Sequence, residues 1–204
     1  MDQALVARAR AMANRPGRAL LGIVGAPGAG KSTLASALAD GLRAEGLVAV
    51  LVPMDGFHLP QAELVERGLR NVMGRIDTFD AEGYLALLRR LRDKPDETVT
   101  APDFDRTVEE PVIDAITVGP EVQLVVTEGN YLLDADDPWP AIRATLDEVW
   151  YVGRAEEARL ESLVRRHVEF GKTEAEAQEW VQRVDEPNAA RIRARRETAD
   201  LRVR

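Results

Sequence analysis

Short apolar, β-branched runs recur along the chain between turn signals, at Ala19–Val24, Leu47–Val52, Val122–Thr127 and Glu148–Val152. Runs of this kind suit strands that are covered on both faces. Ala199–Val203 is a fifth, shorter candidate. The intervening segments have helical spacing instead: Leu34, Leu38 and Leu42 form one stripe, Tyr84, Leu87, Leu88 and Leu91 a second, and Leu160, Leu163, Val164 and His167 a third. Leu5, Ala9 and Met12 predict a helix before the first strand, packed outside the sheet and ended by Asn14-Arg15-Pro16-Gly17. Strands alternating with helices predict an α/β chain with a mostly parallel sheet and helices on both faces. Between residues 94 and 120 the pattern changes to short β-type pieces broken by Pro95, Pro102, Pro111 and Pro120, which predicts a small hairpin insertion.

The first apolar run leads directly into Gly25-Ala26-Pro27-Gly28-Ala29-Gly30-Lys31-Ser32, a complete Walker A loop, and Thr33 continues into the Leu34 stripe. Glycines let backbone N–H groups turn inward around a polyphosphate, Lys31 matches its β/γ oxygens, and the Ser32 hydroxyl suits Mg²⁺. Strand, loop and helix agree, so the expected fold is a P-loop NTPase three-layer sandwich, residues 1–204 forming a single domain. Residues 94–120 are the expected substrate-side insertion. Residues 154–175, a helix broken near Gly171, are the expected lid.

Bulk properties narrow the function further. A formal net charge of −8 argues against a nucleic-acid binder held by bulk positive potential. Basic residues gather in the last quarter of the chain, interleaved with glutamates, the pattern of solvated helix faces. No apolar run is long enough to span a bilayer, and the charged opening Asp2–Arg10 does not read as a signal peptide. The absence of cysteine excludes thiolate metal sites and suits a reducing cytoplasm.

In an open parallel sheet, ligands bind beyond the carboxyl ends of the strands. After the second strand comes Pro53-Met54-Asp55-Gly56-Phe57-His58. Asp55 reads as a base for an attacking hydroxyl or as a holder of Mg²⁺ through water, the plainer alternative being a turn-forming Asp-Gly pair. His58 is a substrate-contact candidate, whereas His167 reads as a helix-surface residue. After the third strand, Glu128 stands where a Walker B acid would, or else caps the next segment; Tyr131 follows as a second substrate-contact candidate. Arg106, within the insertion, suits phosphate or substrate. Arg159, Arg165 and Arg166 are candidates for the positive charge that closes over a γ-phosphoryl group, with Lys172 near the lid break.

The Walker loop, Met54-Asp55-Gly56-Phe57-His58, Phe104-Asp105-Arg106, Glu128-Gly129-Asn130-Tyr131-Leu132-Leu133 and Glu186-Pro187-Asn188-Ala189 together resemble the P-loop kinases of the uridine kinase, phosphoribulokinase and pantothenate kinase family. Within it the chain is most similar to bacterial proteins labelled fructose transport system kinase or nucleoside/nucleotide kinase-like. The resemblance implies ATP and Mg²⁺ as cofactors, a base at Asp55, a Walker B-like acid at Glu128 and lid arginines at Arg165 and Arg166. It also implies that Pro187 and Asn188 lie beside the adenine. The partner it implies is a small metabolite, a sugar, nucleoside or similar alcohol, with no nucleic acid or membrane; a homodimer stays open. Phe57-His58 departs from classical uridine kinases, and their pyrimidine-contacting pattern has no counterpart. Two other functions remain: a partner-coupled NTPase, disfavoured because no Asn-Lys-x-Asp guanine-reading signature is present, and a nucleotide-binding regulator without turnover.

Overall fold

The structure, a computed structural model, describes residues 2–203. Five parallel strands form its sheet: β1 (Ala19–Val24), β2 (Ala49–Leu51), β5 (Leu124–Gly129), β6 (Glu148–Val152) and β7 (Leu201–Val203), in the order β2-β5-β1-β6-β7. β1 is central, with Leu20 beside Val125 and Gly22 beside Thr127 on one flank and Ile23 beside Trp150 on the other. The expected second strand contracts to Ala49–Leu51; Val52 still donates to the Val126 carbonyl at 2.9 Å, and Pro53 then removes the donor that would extend the ladder.

Alternation along β1 divides the core. Ala19, Leu21 and Ile23 face one side, where α1 (Gln3–Ala13) supplies Val6, Ala9 and Met12 and α2 (Lys31–Ala44) supplies Ala35, Leu38 and Leu42. Leu20 and Val24 face the other, beneath α4 (Ala81–Asp93) and α5 (Trp139–Thr145), which contribute Tyr84, Leu85, Leu88, Leu91, Trp139 and Ile142. Leu87 packs only at the margin of this second core, and Leu85 takes its place inside. Burying both faces of a sheet on separate helix layers is what a parallel sheet requires.

The proline-rich segment forms an antiparallel hairpin, β3 (Val99–Asp105) with β4 (Glu110–Val118), outside the main sheet. Its root is clamped by Arg18, 5 % exposed, whose guanidinium donates to the carbonyls of Leu91 at 3.1 Å, Pro95 at 2.8 Å, Gly119 at 2.8 Å and Val122 at 3.4 Å. A buried guanidinium with its donors satisfied by fixed carbonyls holds the insertion rigidly where it leaves the domain. A short helix, α3 (Gln61–Glu66), lies near the hairpin turn, with Gln61 Nε2 donating to the Val108 carbonyl at 2.6 Å. The expected lid consists of α6 (Glu156–Glu169) and α7 (Glu174–Trp180), joined at Gly171, where φ is +98°. A single π-helical turn, Val181–Asp185, then leads into α8 (Glu186–Arg193).

Candidate active site

The Walker loop links β1 to α2 at the carboxyl edge of the sheet. Gly28 has φ +77°, and a Cβ there would come within 2.7 Å of Leu163 Cγ and 2.9 Å of the Arg159 carbonyl oxygen, so only glycine lets the loop pass beneath α6. The first helical N–H groups of α2 have no intrahelical acceptor and form the anion-binding end of the loop. Thr33 is exposed on that first turn. Lys31 lies along its own loop: Nζ donates to the carbonyls of Gly25 at 3.0 Å and Ala26 at 3.3 Å and to Asn130 Oδ1 at 2.8 Å. Burial lowers the Lys31 pKa, opposed by the negative charges of Glu128 and Asp55.

Asp55 and Glu128 converge on this lysine from β2 and β5. Ser32 Oγ donates to Glu128 Oε1 at 2.7 Å. Burial raises the Glu128 pKa and the neighbouring Asp55 charge raises it further, against Lys31 and the Ser32 hydrogen bond. At Asp55 burial also acts upward, but Arg106, His58, Lys31 and Arg166 outweigh it and hold the carboxyl below its usual range. Neighbouring carboxylates driven in opposite directions are the arrangement from which distinct acid and base roles are built.

Arg106, in the turn of the hairpin, forms an ion pair with Asp55. The hairpin comes this close because Gly56 faces the Pro102 carbonyl, which an added Cβ would meet at 2.4 Å. His58 has Nδ1 2.8 Å from the Asp55 carbonyl oxygen, and its ring sits between Phe79 and Phe104 at centroid distances of 4.0 and 4.7 Å. Burial lowers the His58 pKa, against the pull of Asp55, and favours the neutral ring with Nδ1–H donating.

α6 and the segment after it close the opposite wall. Lys31, Asp55, His58, Arg106, Glu128 and Arg166 all line one cavity, of about 150 Å³. Of the three lid arginines, Arg166 is the one that enters this cavity, and among the described residues its guanidinium has no hydrogen-bond or ion-pair partner. Its neighbour Arg165 points outward, 70 % exposed and 3.8 Å from Glu169, against the expectation of a lid role. Arg159 is also taken out of the expected set. It is 2 % exposed, donates to the Pro27 carbonyl at 3.0 Å and pairs with Glu156 and Glu186, bracing the Walker loop.

Further expectations change in the same way. Tyr131 is not on the cavity wall; it is 1 % exposed within the core, its hydroxyl donating to the Gly74 carbonyl at 2.7 Å. Asn188 donates to that same carbonyl at 3.2 Å and lines the Asp55 cavity, while Pro187 is exposed on α8, so the two do not form one surface for an adenine. His167, expected on a helix surface, lines the cavity with Nε2 2.8 Å from Asp185 Oδ2. The π-helical turn carries Asp185 to this position, and such turns are frequent at functional sites. Lys172 lies over Trp180 at 4.8 Å from the ring centroid and joins the same wall. On the other side of the Walker loop, a larger cavity of about 600 Å³ is bordered by Ala26, Ala29, Tyr151, Arg154, Arg196 and Arg202.

Among known proteins, "Putative uridine kinase C227.14" of Schizosaccharomyces pombe is 33 % identical over 192 residues, covering 90 % of this chain and 82 % of that protein. The chain belongs to the uridine kinase-like family of P-loop kinases. The "ATP-dependent kinase-like protein notR'" of Aspergillus versicolor is 38 % identical over 125 residues, covering 58 % of this kinase and 73 % of that chain. The crystal structure of a "putative fructose transport system kinase" from Silicibacter sp. TM1040 superposes with a TM-score of 0.90 at 37 % identity, covering 100 % of both chains. The family model for methylmalonyl Co-A mutase-associated GTPase MeaB matches residues 2–57. That match covers the Walker segment and reaches Asp55, but ends before the hairpin, Glu128 and the lid. Asn130 and Lys172 complete the polar wall. The one signal for Asn130 was its place two residues after Glu128, although it stands just beyond the end of β5 and strand alternation alone does not fix its direction.

Proposed function

We propose that this kinase transfers the γ-phosphate of ATP to a hydroxyl group of a small metabolite, with Asp55 as general base. The observation that carries the reading is the convergence of Lys31, Asp55, Glu128 and the unpartnered Arg166 on one cavity at the mouth of the Walker loop. Backbone N–H groups of Gly28–Thr33 hold the triphosphate. Lys31 exchanges its carbonyl and Asn130 acceptors for β/γ oxygens, and Arg166 meets the charge that builds on the transferring group. The acceptor hydroxyl gives its proton to an Asp55 oxygen as its own oxygen bonds to Pγ. The bond from Pγ to the β,γ-bridging oxygen breaks, and ADP leaves with that electron pair.

Ser32 and Glu128 offer hard oxygen donors already in contact with each other, which fits Mg²⁺. When bound, the ion would neutralise phosphate charge. The larger cavity beyond Ala26 and Ala29 is assigned to the nucleotide base, in place of Pro187 and Asn188. The acceptor is a metabolite-sized alcohol, consistent with a narrow cleft. Among the described residues no helix is long and apolar enough to cross a membrane.

ATP consumption measured with and without a panel of sugars, nucleosides and vitamin precursors tests the proposal. Turnover should depend on an acceptor, and Asp55→Asn should keep ATP affinity while lowering kcat at least about a hundredfold. Brisk hydrolysis indifferent to every acceptor would favour a second reading, an NTPase switch, for which the MeaB-type match over 2–57 is the supporting observation.

A further inference from the structure

We infer that the acceptor carries its own negative charge, a carboxylate or phosphate a few bonds from the reacting hydroxyl, and that Arg106 reads it. The inference rests on the kinase reading and names the substrate class of the same site. It starts from the ion pair that spans the cavity between Asp55 and Arg106. Among the described residues Asp55 is the one partner of the Arg106 guanidinium, and Arg106 is the one side chain paired with the Asp55 carboxylate.

A carboxylate paired with a guanidinium is a poor base, because the pairing favours its charged, unprotonated form. A hydroxyl arriving alone would have to displace a charge-assisted pair and leave Arg106 uncompensated in a half-enclosed cleft. An acceptor that brings an anion resolves both demands in one exchange. Its carboxylate or phosphate takes the planar guanidinium fork, and its hydroxyl takes the freed Asp55 oxygen. Arg106 can follow that exchange because it sits in the hairpin turn and is 43 % exposed, while the hairpin root is held by Arg18.

The surrounding wall agrees. Arg70 lines the same cavity and is engaged by Glu109, giving a second guanidinium on the acceptor side. His58, neutral and with Nδ1–H committed to the Asp55 carbonyl, keeps Nε2 as an acceptor for a further hydroxyl. Phe79 and Phe104 fix that ring and narrow the space. A cavity of about 150 Å³ is small beside the 300–1,000 Å³ usual for drug-sized ligands, so a compact hydroxylated anion is the class that fits.

The test is steady-state kinetics with ATP and four matched probe classes: C3–C6 aldonates, the corresponding aldonamides, aldose phosphates and free aldoses. An anionic probe should exceed its neutral counterpart in kcat/KM by on the order of a hundredfold. The aldonate and phosphate arms show which anion is read. Arg106→Gln should bring that ratio within about tenfold, by raising the acceptor KM while the KM for ATP stays put, and Arg106→Lys should fall between. Equal use of a neutral alcohol and its anion would overturn the inference and leave the kinase reading intact. So would an Arg106→Gln variant that raises the KM for ATP with the ratio untouched, which would put Arg106 on the nucleotide phosphates. ATP binding without turnover of any probe would overturn both.

Discussion

Arg159 and Arg166 lie about two turns apart on α6 and carry the same charged group, yet their surroundings are opposite. Arg159 is enclosed, bonded to the Walker loop backbone at Pro27 and paired with two glutamates, one of them Glu186 on α8. Arg166 faces Lys31, Asp55 and Glu128 across the cavity with its guanidinium uncommitted. In the proposed mechanism one helix thus performs two tasks: its first half fixes the Walker loop, and its second half brings a cation to the cavity where phosphate charge would grow. A buried charge with fixed partners serves as scaffold, whereas a charge without partners stores attraction for a ligand.

The largest expected effect on stability sharpens the scaffold side. Arg159→Met should leave the Pro27 carbonyl without its donor and Glu186 with Arg193 alone, costing about 1–3 kcal/mol, or roughly 5 °C in Tm for a domain of this size. Thermal unfolding without ligand measures it, and an unchanged Tm would erase the contrast between the two arginines. Next comes Arg166→Gln, which should lower kcat by about a hundredfold to a thousandfold with Tm nearly unchanged. A Tm loss equal to that of Arg159→Met would make Arg166 a second brace. The smallest effect is expected one residue away: Arg165→Ala should stay within about 0.5 kcal/mol in stability and change no kinetic constant. A kinetic defect there would return Arg165 to the lid set from which its outward direction removes it.

Much of the architecture was readable because it follows from periodicity. The apolar runs predicted the core strands, and the Walker loop marked the carboxyl edge of the sheet as the candidate site. Four prolines marked the insertion that forms the hairpin. Partner choice was not readable. Arg165 and Arg166 are adjacent letters, but neighbouring side chains on a helix diverge by about 100°, and only the seating of α6 against Gly28 decides which one turns inward. Tyr131 stands beside Asn130 where β5 has just ended, so its direction depends on the core that receives it, with Phe79 and Trp139 against its ring. Arg159 read as a candidate to close over phosphate because the partners that make it a brace, the Pro27 carbonyl, Glu156 and Glu186, come together around it only in the fold.

The π-helical turn at Val181–Asp185 also bears on how the chain tolerates changes in length. Such a turn accommodates an added residue in an otherwise regular rod. Losing one residue inside it would restore ordinary winding and leave both flanking helices in phase, whereas the same loss within α7 or α8 would rotate everything downstream by about 100°. The first kind of deletion would keep Asn188 facing Gly74 and cost only the acid that Asp185 presents to His167. A loss within α7 would turn Glu186, the first residue of α8, away from Arg159 and loosen the grip on the phosphate loop from a distance.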